Sequence, residues 1–185
     1  MMASLDTDVH DWFVDHRTAA LDDFFRTVTH LGAAAVLLPI IVLMLAALLW
    51  KRRPDLALGA GVAVIGTWVT VNLVLKPLVG RARPPLADRL VFPGDASFPS
   101  GHAANATAAW LTLAWVLASL VERRAAKVAI WSGAGCVAAL VGVSRLYLGV
   151  HWPTDVVAGW AIGGAWVACG IWLARRTRHA RQPVM

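Results

Sequence analysis

Charge is scarce in this chain. Charged residues make up 15% of its 185 positions, 58% are hydrophobic, and the mean hydropathy is +0.62. A soluble domain of this length needs more polar surface, so composition points to an integral membrane protein. Cysteine is nearly absent: Cys136 and Cys169 are the only two. Both lie inside apolar stretches and read as small buried core residues, not as a disulfide. No cluster of carboxylates or cysteines offers a ligand set, so neither a metal nor a cofactor is expected. There is no long internal repeat, low-complexity tract or break in composition, and residues 1–185 read as one domain. The start is not basic, as a signal peptide would be, but acidic, with Asp8, Asp11, Asp15, Asp22 and Asp23 in the first thirty residues. The net charge of +6 does not indicate nucleic acid, because the basic residues form no single face. They cluster between apolar runs, as membrane topology requires.

What the chain has in abundance is long apolar runs. Five are of about the length that spans a bilayer: Leu31–Trp50, Leu56–Leu75, Ala103–Val121, Val128–Val143 and Val156–Ala174. In lipid they must be helices, since every backbone amide needs an internal partner. The fold expected is therefore all-α, a multi-spanning membrane helix bundle. Ahead of it, Val9, Trp12, Phe13, Ala20, Phe24, Val28 and Leu31 recur at roughly helical spacing between acidic residues. This predicts an amphipathic helix over residues 6–30 lying at the membrane interface. Three regions share one side of a five-span chain: Lys51, Arg52 and Arg53; Arg123, Arg124 and Lys127; and Arg175, Arg176, Arg178 and Arg181. They hold 10 of the 17 basic residues. The positive-inside rule puts that side, with the C-terminus, in the cytoplasm.

Three short clusters fall on the opposite, outer side. Lys76 ends one span, and Arg83 follows before Pro84 and Pro85. A lysine at a membrane boundary also reads as a snorkelling anchor. The proline pair stiffens the backbone at Arg83, whose planar guanidinium can grip two phosphate oxygens. Arg81 reads as a rim or lipid-headgroup residue. In Pro99-Ser100-Gly101-His102 the serine is a natural N-cap for the following helix, whose free amides attract anions. Gly101 lets an oxygen approach the backbone, and His102 faces the same space from the first turn. Alone, this tetrapeptide reads equally as a plain cap with an interfacial histidine. In the third cluster, Ser144-Arg145 closes an apolar run, and His151 lies four residues before Asp155. That spacing lets the carboxylate bond one imidazole nitrogen and leave the other free to attack, although a structural His-Asp pair fits it too.

In combination, Lys-x6-Arg-Pro, Pro-Ser-Gly-His and Ser-Arg-x5-His-x3-Asp resemble the three motifs of the type 2 phosphatidic acid phosphatase (PAP2) family. They occur in order, without a gap, across residues 76–155. That family includes lipid phosphate phosphatases and shares its site with vanadium haloperoxidases. The resemblance implies that His151 is the nucleophile, that Asp155 orients it, and that His102 is the general acid. Lys76, Arg83, Ser100, Gly101 and Arg145 would hold phosphate oxygens, and Ser144 has no assigned chemistry. Attack by His151 would give a phosphohistidine that water hydrolyses, with three cations offsetting charge where other phosphatases use metal.

The function expected is thus metal-independent hydrolysis of a lipid phosphate at the outer face of a bacterial cell membrane. The partners are that lipid and the bilayer; the sequence does not indicate an oligomeric state. Release of undecaprenyl pyrophosphate outside the cell favours it as the substrate, with phosphatidylglycerol phosphate or phosphatidic acid as alternatives. A lipid or phosphate transporter would not need a His-x3-Asp pair, and the haloperoxidases are largely soluble. The loop Pro85–Phe98 is expected to shape selectivity. Trp152 is a candidate for the entrance, and small residues at Gly159, Gly163 and along Gly59 to Gly66 are expected at helix contacts.

Overall fold

A computed structural model describes residues 2–179; Met1 and the tail from residue 180, including Arg181 of the basic cluster, lie outside the described residues. Among the described residues the secondary structure is all helix and connecting loop, in eight α-helices. Two of them, α1 (Met2–Asp15) and α2 (Ala19–Thr29), replace the single interfacial helix expected over residues 6–30. The break is local chemistry. Thr18 has extended geometry (φ −141°, ψ 152°), and its hydroxyl accepts the Leu21 amide and caps α2. The elbow is then tied to the far end of the bundle. Arg17 donates to the Tyr147 carbonyl (2.8 Å), and the Tyr147 hydroxyl donates to Asp22 (2.6 Å). Helix α1 turns its polar residues inward: Asp6 and His10 are buried while Leu5 and Trp12 are exposed. That inversion suits a helix whose outer face meets lipid.

A short 3-10 turn, His30–Gly32, leads into α3 (Ala34–Trp50). Helix α4 (Pro54–Val69) begins with proline in its first turn, where the missing N–H costs nothing. It runs through a π-turn at Thr70–Leu75 into α5 (Lys76–Val79), which Gly80 ends in the left-handed conformation (φ 58°). A long connection with a 3-10 turn at Leu86–Asp88 reaches α6 (Gly101–Ala118). Helices α7 (Arg124–Tyr147) and α8 (Pro153–His179) complete the bundle.

Among the described residues, four segments are long and apolar enough to cross a membrane: Ala19–Trp50, Pro54–Val79, Arg124–Tyr147 and Pro153–Arg178. The expected fifth, Ala103–Val121, corresponds to α6 and does not reach that level. Its apolarity is diluted by His102, Asn105, Thr107 and Thr112, and it occupies the interior, packed on α7 and α8. Its contact face is small: Ala103, Ala104, Ala106, Ala108 and Ala109 are all buried. Of the glycines expected at helix contacts, Gly59, Gly66, Gly159 and Gly163 are there, whereas Gly61 faces open space. A methyl group on Gly159 would lie 2.7 Å from the Ser100 carbonyl oxygen, and one on Gly163 would lie 2.6 Å from that of Ala104. Gly59 and Gly170 meet backbone to backbone, which draws α4 against α8. The cysteines differ from expectation: Cys136 and Cys169 are free but exposed, on outward faces of α7 and α8. An apolar run in lipid has no obligatory inside, so hydrophobicity does not reveal which face packs.

Candidate active site

All three clusters meet at one end of the bundle, where α5 and α7 finish and α6 and α8 begin. Lys76, Arg83, Gly101, His102, Arg145 and His151 line a cavity of about 260 Å³. The sequence scatters these residues over 76 positions; antiparallel helix packing brings them together.

His151 and Asp155 are both buried at the start of α8. His151 Nδ1 lies 3.3 Å from Asp155 Oδ2, and the other nitrogen, Nε2, lies 3.0 Å from Arg83 Nη1. A guanidinium can only donate, so Nε2 accepts and the ring proton sits on Nδ1, toward Asp155. The lone pair on Nε2 thus points to the cationic side. Burial pushes His151 down to about 4; the Asp155 hydrogen bond opposes this, and the charges of Arg83 and Arg145 add to it. A neutral imidazole is what a nucleophile requires. Asp155 is itself held on all sides, by Ser97 Oγ (2.5 Å), the Trp152 amide (3.0 Å) and Arg81 Nη1 (2.6 Å).

The cations are arranged around the same space. Arg83 spends its donors on the Val150 carbonyl (2.6 Å), the Asp95 carbonyl (2.8 Å) and the Asp95 carboxylate (2.7 Å). Lys76 donates to the Ala96 carbonyl (2.5 Å) and pairs with the other Asp95 oxygen (2.7 Å). Arg145 donates to Thr29 Oγ1 (2.7 Å), while its buried Nε has no partner among the described residues. The Arg145 side chain lines this cavity, and a guanidinium there suits an anion oxygen. Ser100 caps α6, accepting the Ala103 amide (3.4 Å). A methyl group on Gly101 would meet nothing closer than 3.7 Å, so the approach to the helix start is open. Gly32 packs on His102; a methyl group there would lie 3.3 Å from its ring. Ser144 donates to the Val141 carbonyl (2.6 Å) and stays away from the chemistry.

Two expectations need correction. Arg81 is not a rim residue: besides Asp155 it donates to Asp6 of α1 (2.6 Å) and Thr154 (2.6 Å). Trp152 does not line the cavity. Its indole donates to the Ala82 carbonyl (3.0 Å), and its ring lies 5.4 Å from His10 and 5.6 Å from the Arg81 guanidinium. Sequence reasoning also missed Ser97, which reaches Asp155, and the role of Asp95, whose carboxylate bridges Lys76 and Arg83. Only position offered a signal, since both lie just before the Pro-Ser-Gly-His cluster. Burial alone would raise the Asp95 carboxyl, but its hydrogen bonds and charge pairs with Lys76 and Arg83 bring it down to about 2. The anion position between the two cations is therefore filled by the protein's own carboxylate.

Comparison with known proteins shows the family. The family model described as the PAP2 superfamily matches residues 55–179. A Bacillus subtilis protein named phosphatidylglycerophosphatase B is 40% identical over 144 residues, covering 77% of this chain and 70% of that one. An undecaprenyl-diphosphatase of Sulfolobus acidocaldarius is 27% identical over 165 residues, 83% and 70% of the two chains. Among solved structures, a transmembrane PAP2-type phosphatidylglycerolphosphate phosphatase from Bacillus subtilis superposes with a TM-score of 0.83 at 31% identity, covering 99% of this chain and 89% of that one. The LpxE structure from Aquifex aeolicus gives 0.69 at 29% identity, over 91% and 94%. With the family matched across most of its length and its bundle shared, the chain belongs to the PAP2 superfamily and is an integral, multi-pass membrane phosphatase acting on lipid phosphates as a phosphoric monoester hydrolase.

Proposed function

We propose that this enzyme hydrolyses the terminal phosphate of phosphatidylglycerol phosphate at the outer face of a bacterial cell membrane, acting as a single domain with the C-terminus in the cytoplasm. The observation that carries the reading is the pairing of a cationic phosphate cavity with an apolar groove. A second cavity of about 360 Å³ runs between α3 and α4, lined by residues such as Leu37, Ile41, Leu45 and Val64. It shares Gly32, Ala34, Trp68 and Asn105 with the phosphate cavity. A headgroup can thus enter the charged end while an acyl chain follows the groove toward the lipid. The expectation from sequence favoured undecaprenyl pyrophosphate. The more similar relatives bear phosphatidylglycerol phosphate names, at 40% identity against 27%, and so support the alternative. For the topology, we take α6 as a fifth crossing packed inside the other four; the positive-inside rule then favours the outer side for all three clusters.

The reaction follows from the geometry. Lys76, Arg83, Arg145, the Ser100 hydroxyl and the Gly101 amide hold the phosphate oxygens once the phosphate has displaced the Asp95 carboxylate; the Ser100 amide is already given to the Asp155 carbonyl. The phosphate dianion, binding beside His102, favours its protonated form; the Nε2 lone pair of His151 then attacks phosphorus, the phosphorus–oxygen bond to the lipid breaks, and the leaving oxygen takes that proton from His102. Asp155 stabilises the resulting phosphoimidazolium through Nδ1–H. Water, giving its proton to His102, then attacks phosphorus, and the phosphorus–nitrogen bond electrons return to His151. No metal is needed, because three fixed cations offset the charge that develops. Phosphate release from purified enzyme against phosphatidylglycerol phosphate, undecaprenyl pyrophosphate and phosphatidic acid tests the substrate. The highest kcat/KM is expected for the first; a higher value for undecaprenyl pyrophosphate would return the assignment to the original expectation.

A further inference from the structure

Outside the phosphate cavity, one buried polar network remains without a use. Asp6 on α1 is 3% exposed, and its two carboxylate oxygens accept from Arg81 (2.6 Å), the Thr154 hydroxyl (2.7 Å) and the Thr154 amide (3.0 Å). Arg81 spans from it to Asp155 Oδ1 (2.6 Å), the oxygen that His151 does not use. Neither Asp6 nor Arg81 lines the phosphate cavity. The bridge therefore joins the N-terminal helix to the nucleophile from behind, across 150 residues of sequence.

We propose that Asp6 and Arg81 are positioning residues, which orient Asp155 and set how much negative charge it presents to His151. The proposal rests on His151 as the nucleophile. The chemistry needs a balance. An Asp155 with no counter-ion would hold His151 as an imidazolium, which cannot attack; one fully neutralised would fail to stabilise the phosphoimidazolium. Arg81 bonds one oxygen and leaves the other for the imidazole, while Asp6 shares the Arg81 charge and keeps it from being spent wholly on Asp155. Burial works against the charge of each, yet their mutual hydrogen bonds hold Asp6 below and Arg81 above its ordinary value, so both stay charged throughout the working range. The other charged or titratable groups facing the dyad are Lys76 from α5, Arg83 and Asp95 from the connection, His102 from α6 and Arg145 from α7. All of them lie on the cavity side, where the substrate also sits. Among the described residues, only the charged pair Asp6–Arg81 approaches from behind the dyad, so altering it leaves the phosphate contacts intact.

The test is the pH profile of kcat/KM for phosphatidylglycerol phosphate in detergent micelles. Its acidic limb reports protonation of the free enzyme, and ionisation of the substrate is common to every variant. Arg81→Gln leaves Asp155 unshared and should raise the acidic limb by about one unit, the size of effect a contacting charge exerts. Asp6→Asn should not raise it, and should lower kcat with KM unchanged. In the double variant the limb should fall part-way back from its Arg81→Gln position, because the unpaired Asp6 charge is also gone. A limb unmoved by Arg81→Gln, whatever the loss of rate, would reduce the network to a brace. A double variant that stays with Arg81→Gln would remove Asp6 from it. Should Arg81→Gln not fold, the near-isosteric Asp6→Asn decides, and an unchanged kcat there overturns the proposal. His151→Ala is assayed alongside; turnover in that variant would instead overturn the nucleophile assignment.

Discussion

Two histidines face one phosphate cavity, and their surroundings divide the labour. His151 is backed by a carboxylate and keeps a lone pair on the nitrogen facing Arg83, whereas among the described residues no carboxylate bonds His102, which sits in the first turn of α6. His151→Ala should abolish turnover of every substrate. His102→Ala should cost about 10²–10⁴-fold on a lipid monoester, the usual worth of general acid catalysis. On an aryl phosphate, whose leaving group departs unaided, the phosphohistidine-forming step should lose far less. Rapid-quench measurement of phosphoenzyme separates that step from its hydrolysis, and equal losses for both substrates would leave His102 a phosphate binder. The pH dependence follows the same logic. With His151 lowered to about 4, the proposed nucleophile is neutral at neutral pH, and that form is lost as pH falls through that value. Wild-type kcat/KM for an aryl phosphate, corrected for substrate ionisation, should hold down to about pH 5 and decline below it; a limb near the ordinary histidine value would contradict the buried setting.

Among the elements, the connection from Gly80 to Ser100 does the most for function while having the least regular structure. It carries Arg81, Arg83, Asp95 and Ser97, and is pinned where the Leu90 amide donates to the Leu148 carbonyl (3.0 Å) and where Leu90 and Val91 pack on Tyr147, Leu148 and Val150. Gly149 makes that contact possible: it has φ 69°, and a side chain there would strike the Asp88 carbonyl and Arg17. On this connection Asp95 occupies the position a phosphate oxygen would take between Lys76 and Arg83. Held at about 2, it cannot be released by mild acid and must be displaced by substrate. Asp95→Asn removes the competing anion, so inorganic phosphate should inhibit the variant about tenfold more tightly, the order expected from loss of one like charge at contact distance. Steady-state inhibition constants check this. Weaker inhibition would mean that Asp95 chiefly organises the two cations.

For the whole molecule, the distribution of charge and the position of the site make one statement about orientation. Basic residues gather at the ends of α3, α7 and α8 remote from the cavity. After Cys136 and Cys169 are replaced, a cysteine at the exposed Phe92 should react with an impermeant thiol reagent in intact cells, and one at Arg124 should not. Reversed labelling would place the site in the cytoplasm and remove the argument for an outer-face substrate.

Membrane class, helical fold and the residues that gather at the cavity could be read along the chain, because apolar run length, turn chemistry and motif spacing are local properties. Lys76, Arg83, Ser100, Gly101, His102, Arg145, His151 and Asp155 were all legible, and the structure brings them to one end of the bundle. Span number was only partly legible: α6 carries polar residues that an interior helix tolerates, and no hydropathy rule sees which helix is interior. Lipid likewise gives apolar residues no reason to face inward, so the exposure of Cys136 and Cys169 had no signature. The burial of Asp6 and the turn of Arg81 toward Asp155 came from packing alone. Those contacts join residues 74 and 75 positions apart, and their energy depends on removing charges from water together, which no local pattern encodes.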